Sequence, residues 1–160
     1  MAFSITKFAD DLGAFFSNPI ILSSLTSWFL SQLFKGIVVF IKIRKIREVL
    51  ETLFWRTGGM PSSHAAVVAS MTASVAFSAG VASDLFAVSL LVAFLVMRDA
   101  MGVRRAVGIQ ARAINILGSQ STEKSDVEFS PVKEIKGHAP LEVIAGALLG
   151  IFISAAYNRL

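Results

Sequence analysis

Four stretches of about twenty mostly apolar residues leave this chain few ways to fold. They are 19–41, about 64–83, 84–103 and 140–158. A bilayer hydrocarbon core takes roughly 20 helical residues to cross, and no open sheet or irregular loop can satisfy its backbone there. Hydrophobic residues make up 54% of the 160 and charged residues 16%, against about 25% charged in a soluble domain. The expectation is an all-α integral membrane bundle of about four transmembrane helices with short amphipathic helices, forming a single membrane domain over 1–160. The second stretch is rich in alanine and serine. The fourth carries Gly146 and Gly150, a G-x-x-x-G pair that lets helix backbones approach closely.

Between the apolar stretches the chain changes character. Residues 105–117 read as a short amphipathic helix and 118–137 as a polar loop. At the start, Asp10 and Asp11 stand where a signal peptide would carry its apolar run. That segment reads as mature protein, an interfacial helix with Phe3, Phe8, Phe15 and Phe16 as its apolar contacts. The chain has no cysteine, which removes disulfides and thiolate–metal chemistry.

Charge orients the spans. Lys42, Arg44, Lys45, Arg47 and Arg56 crowd the first connection; Arg104, Arg105, Arg112, Lys124, Lys133 and Lys136 follow the third span. The positive-inside rule puts these connections in the cytoplasm and both termini outside. The basic run 42–47 reads as an orientation signal and anionic-lipid contact. Small bundles of this kind often pair, so a homodimer is expected. With four spans, "GGMPSSH", "RDAMGVRR" and "KEIKGHAP" all fall at one membrane face.

That face gathers a chemistry. His64 follows Ser62 and Ser63 at the start of the second span, where hydroxyls cap a helix and its first amides attract anions. A turn capping a helix would by itself explain "GGMPSSH". His138 stands just before Pro140 at the start of the fourth span, with Glu142 four residues on and on the same helical face. A carboxylate there holds an imidazole in one tautomer and stabilises its charged form. Lys35 is the only charge in the first span, and an ionisable residue inside a membrane faces a cavity or a partner. Asp99 is placed to pair with one of the neighbouring arginines, either as a packing contact or at the site itself. Two histidines, a buried lysine and the Arg104–Arg105 pair make up a set able to hold a phosphate.

These motifs, "GGMPSSHAA", "RDAMGVRR" and "KEIKGHAPLEVIAGALLG" with a lysine in the preceding span, resemble the divergent branch of the type-2 phosphatidic acid phosphatase superfamily. That branch is also described as acid phosphatase/vanadium-dependent haloperoxidase-related, and the likeness runs from about Lys35 to the C-terminus. It implies phosphate hydrolysis without a metal or other cofactor: His138 as nucleophile oriented by Glu142, and His64 as general acid. Lys35, Ser62, Ser63, Arg104, Arg105 and Asp99 would form the substrate-binding set. The chain departs from the superfamily pattern twice. After Lys35 and six residues it has Lys42–Ile43 where Arg-Pro is usual, and Val132 beside Lys133 where an arginine precedes the nucleophile. The resemblance therefore leaves two functions open. One is a membrane phosphatase of lipid or polyprenyl phosphates and diphosphates working through a phosphohistidine. The other is a lipid-phosphate binding or translocating protein without turnover.

Overall fold

The structure, a computed structural model, describes residues 5–47, 49–50, 59–122, 129–134 and 137–159. Among the described residues there are six long helices and no strand. They are α1 (Ile5–Phe16), α2 (Pro19–Ile43), α3 (Ser63–Ala79), α4 (Asp84–Met101), α5 (Val103–Thr122) and α6 (Pro140–Arg159). The protein is an integral membrane helical bundle. Phe3, Arg56, Lys124 and Lys136 lie outside the described residues.

Local chemistry sets the helix starts. Asn18 Oδ1 accepts from the Ile20 amide at 2.9 Å, with Pro19 at the first helical position. Ser83 Oγ accepts from Phe86 N at 3.2 Å, and Asp84 adds a negative charge to the first turn of α4. Helix α3 ends at Gly80, whose φ of +84° suits glycine. The second span, expected to run to residue 83, therefore stops at Ala79 and is replaced by a turn into the Ser83 cap. At 17 residues α3 covers about 25 Å, less than a full hydrocarbon core. Among the described residues, the helical runs long and apolar enough to cross are Pro19–Ile41 in α2, Asp84–Ser121 through α4 and α5, and Pro140–Arg159, which is α6. A second correction concerns the polar loop expected from residue 118. Helix α5 continues through Thr122, with the Ser119 and Ser121 hydroxyls turned back onto the carbonyls of Ile116 and Leu117 (2.9 and 3.0 Å).

The core is inverted relative to a soluble protein. Helix α3 sits at the centre, packed by α2, α4 and α6. What it buries is mostly small: Ser63, Ala65, Ala66, Ala69, Ser70, Thr72 and Ser74, with Val68 and Val75. The large apolar side chains point outward, Phe29, Phe94, Leu95 and Phe152 each being more than half exposed. Lipid tails are as apolar as leucine, so helix association relies on close backbone packing and interhelical hydrogen bonds. Both are present. A Cβ on Gly146 would strike the Ser62 carbonyl, and one on Gly150 the Ala66 carbonyl, so α6 lies on the backbone of α3 in matched four-residue steps. At the opposite end Ser74 Oγ lies 2.8 Å from both Ser23 and Ser154 Oγ, and Asn158 Nδ2 donates to Ser74 at 3.2 Å. This layer ties α2, α3 and α6 together, with each bond contributing about 0.6 kcal/mol in a bilayer.

Among the described helices the amphipathic α1 touches only α2, and Phe8, Phe15 and Phe16 are more than half exposed. A solvent-facing apolar row of that kind is the interfacial pattern.

Candidate functional site

The site lies where α3 and α6 begin side by side. Ser62 caps α3, its Oγ accepting from the Ala65 amide at 3.4 Å, while its own amide donates to the Glu142 carbonyl at 2.8 Å. That bond joins the cap of α3 directly to the first turn of α6. It forms because Gly146 lets the backbones meet one turn further on. His64, the second residue of α3, and His138, two residues before α6, are thereby brought together. Their ring centroids are 6.0 Å apart and inclined at 66°.

His138 is 2% exposed and fixed from two sides. Its backbone amide donates to the Ala100 carbonyl at 3.0 Å, anchoring it to the end of α4. Its Nδ1 lies 2.9 Å from Glu142 Oε2, which also accepts from the Ala139 amide at 3.2 Å. An ionised carboxylate can only accept, so Nδ1 carries the proton and the Nε2 lone pair is left for chemistry. His64 Nδ1 is buried and has no hydrogen-bond partner among the described residues. A buried polar atom without a partner costs about 1–3 kcal/mol, and such orphans mark places where a ligand or water completes the shell.

Lys35 reaches the site from α2. It is 4% exposed, and its Nζ donates to Ser63 Oγ and to Gln32 Oε1, both at 3.2 Å. One ammonium is thus delivered to the start of α3, beside the first amides of that helix.

The arginines are arranged differently. The carboxylate of Asp99 binds Arg104 through a single Nε–Oδ2 contact of 2.9 Å, not a bidentate fork, with both side chains about two-fifths exposed. Arg105 has its side chain exposed, and its backbone lies against Gly137, where a Cβ would fall 2.5 Å from the Arg105 Cα and amide nitrogen. Arg98 faces outward and Lys133 is exposed. The structure therefore joins His64, His138, Glu142, Ser62, Ser63 and Lys35 in one connected set. It also gives Arg104 a carboxylate partner of its own. Among the described residues no three His, Asp or Glu side chains gather closely enough to share a metal ion.

Two residues of this region escaped the sequence reading. Gln32 holds Lys35, and the trace it left was a lone amide three residues before the lysine in an apolar span. Asn115 has no such signal. Its Nδ2 donates to the Val132 carbonyl at 2.9 Å and its Oδ1 accepts from the Val132 amide at 2.8 Å. That two-point clamp ties residues 129–134 to α5, just before the chain reaches His138.

Together these features define a class: a helical membrane protein with a two-histidine site at the shared start of two packed helices. The chain belongs to the Divergent PAP2 family, which matches residues 16–153. It is 40% identical to a protein of Bacillus subtilis (strain 168) described as "Uncharacterized membrane protein YuiD", over 86% of this chain and 92% of that one. No solved structure matches it.

Proposed function

We propose that the protein hydrolyses a lipid or polyprenyl phosphate or diphosphate through a phosphohistidine formed on His138. The observation that carries this reading is the facing pair of histidines, one oriented by Glu142 and the other with a buried, unpartnered ring nitrogen. In-line transfer needs the nucleophile about 3–3.5 Å from phosphorus and the acid within about 2.6–3.2 Å of the leaving oxygen. Rings 6.0 Å apart suit one phosphoryl group held between them.

In the first step His138 Nε2 bonds to phosphorus, the bond from phosphorus to the leaving oxygen breaks, and His64 gives that oxygen its proton. Glu142 stabilises the positive charge that develops on the His138 ring. In the second step water attacks the phosphohistidine, returning a proton to His64. The N–P bond breaks and inorganic phosphate leaves. Lys35, held on Ser63, and the first amides of α3 take the charge on the phosphoryl oxygens. Arg104 and Arg105 complete that set from the start of α5, with Asp99 aiming Arg104. The apolar tail of the substrate stays in the bilayer, and the active face is the cytoplasmic one.

The test is phosphate release by purified protein in detergent from phosphatidic acid and prenyl diphosphates, with a chelator control. Loss of release in His138→Ala supports the reading. Equal release by wild type and His138→Ala overturns it.

A second reading draws on the Arg104–Asp99 pair: its guanidinium is already part-neutralised, which lessens the charge available to a transition state. A lipid-phosphate binding or translocating protein needs the pocket but not that charge. Phosphate binding without release in the same assay selects it.

A further inference from the structure

Helix α5 poses a problem of cover. Helix α4, with 18 residues, already spans about 27 Å, most of a hydrocarbon core. The chain turns at Gly102 and starts a second helix of 20 residues. Among the described residues it packs on no helix other than α4. Val103, Val107, Ile109, Ile114, Ile116 and Leu117 are nonetheless each more than two-fifths exposed. At 100° per residue they sweep about half the helix circumference. Arg105 and Arg112 border that arc on one side.

The remaining side is occupied by the chain itself. Phe129 lies against Gly118, Asn115 clamps Val132, and Gly137 lies against Arg105. The described residues of this strap lie on the polar side of α5. Left in water, six large apolar side chains would give up about 1.5–3 kcal/mol each of their full burial.

We propose that α5 lies in the plane of the membrane at the histidine end of the bundle, with its apolar arc in the leaflet and Arg112, at the border of that arc, on anionic phospholipid headgroups. Two features select this occupant. The helix carries three arginines and no aspartate or glutamate, which complements an anionic surface. Leu91, Phe94 and Leu95 on α4, the helix it follows, are more than half exposed as well. Where the two helices meet, a groove of about 600 Å³ is lined by Arg98 together with Met101, Gly102, Val103 and Ala106, one basic side chain among apolar residues, the chemistry of a phospholipid with its acyl chain. A second copy fits less well: a two-fold contact through this arc sets its arginine border against its own equivalent.

The chain has no cysteine, so single labels report cleanly. Ile109→Cys and Ile116→Cys, and Ser119→Cys as the polar-side control, are labelled with a fluorophore in nanodiscs of zwitterionic or mixed anionic lipid. Bromine-bearing lipid tails should quench the 109 and 116 probes, and aqueous iodide the 119 probe. Anionic lipid should deepen the first two, by about fivefold in the buried-to-exposed ratio, and Arg112→Gln should remove that gain. Iodide access at 109 and 116 equal to that at 119 would overturn the proposal. So would efficient disulfide formation between unlabelled Ile116→Cys copies, which would assign the arc to a second copy. Neither readout depends on phosphate release.

Discussion

Replacing Gly146 by alanine tests how the fold builds the site. The added Cβ would meet the Ser62 carbonyl oxygen, with Ser62 C and N both at 3.1 Å. All three are backbone atoms, so no side chain can swing away and α6 must withdraw from α3. Overpacking of this kind costs about 1–3 kcal/mol. Withdrawal also strains the Ser62–Glu142 backbone bond of 2.8 Å, worth roughly 1 kcal/mol more. For a chain of this length each kcal/mol lowers Tm by about 2–4 °C. Gly13→Ala is the control: Gly13 is also helical, a Cβ there meets nothing within 4 Å, and alanine is the better helix former by up to about 1 kcal/mol. Thermal melts in one detergent, followed by circular dichroism, should show Gly146→Ala falling several degrees and Gly13→Ala holding or rising. Phosphate release should fall in Gly146→Ala alone, because His64 travels with α3. Equal melting of the two variants would refute the argument that backbone contact at Gly146 holds the two helix starts together.

Three further outcomes follow from single contacts. Glu142→Gln keeps an acceptor for the Ala139 amide but loses the charge facing the His138 ring, so phosphate release should drop at least about 100-fold with little change in melting. Lys35→Met preserves the buried stem and removes the ammonium on Ser63, and affinity for inorganic phosphate by calorimetry should weaken about tenfold or more. Asn115→Ala opens the clamp on Val132, so amide exchange at residues 129–134 should accelerate while the α3 amides keep their protection.

Much of the fold could be read from the residues because the bilayer imposes a length and a polarity that few other environments require. The helix ends were harder. Hydropathy continues past Ala79 through Val81 and Ala82, so it passes over the stop, which comes from the backbone freedom of Gly80 and the cap at Ser83. The polar run after Leu117 reads as a loop, but its serines bond back to their own helix and Phe129 covers Gly118. At the site, the His138–Glu142 contact was legible because a four-residue spacing near a helix start fixes it locally. Lys35 was legible because a charge in a span needs a reason. The choice among Arg98, Arg104 and Arg105 as the partner of Asp99 depends on how the chain turns at Gly102. Nothing local encodes that, nor the reach of Asn115 across 17 positions to Val132.

The account rests on His64 and His138 attending to one phosphate, and the chain makes this directly observable because it has only two histidines. Histidine-selective ¹⁵N labelling in detergent gives two sets of ring-nitrogen signals, assigned with His64→Gln and His138→Gln. Titration with inorganic phosphate should shift both sets along curves that give the same Kd. Shifts at one histidine only, or two different dissociation constants, would contradict a shared site.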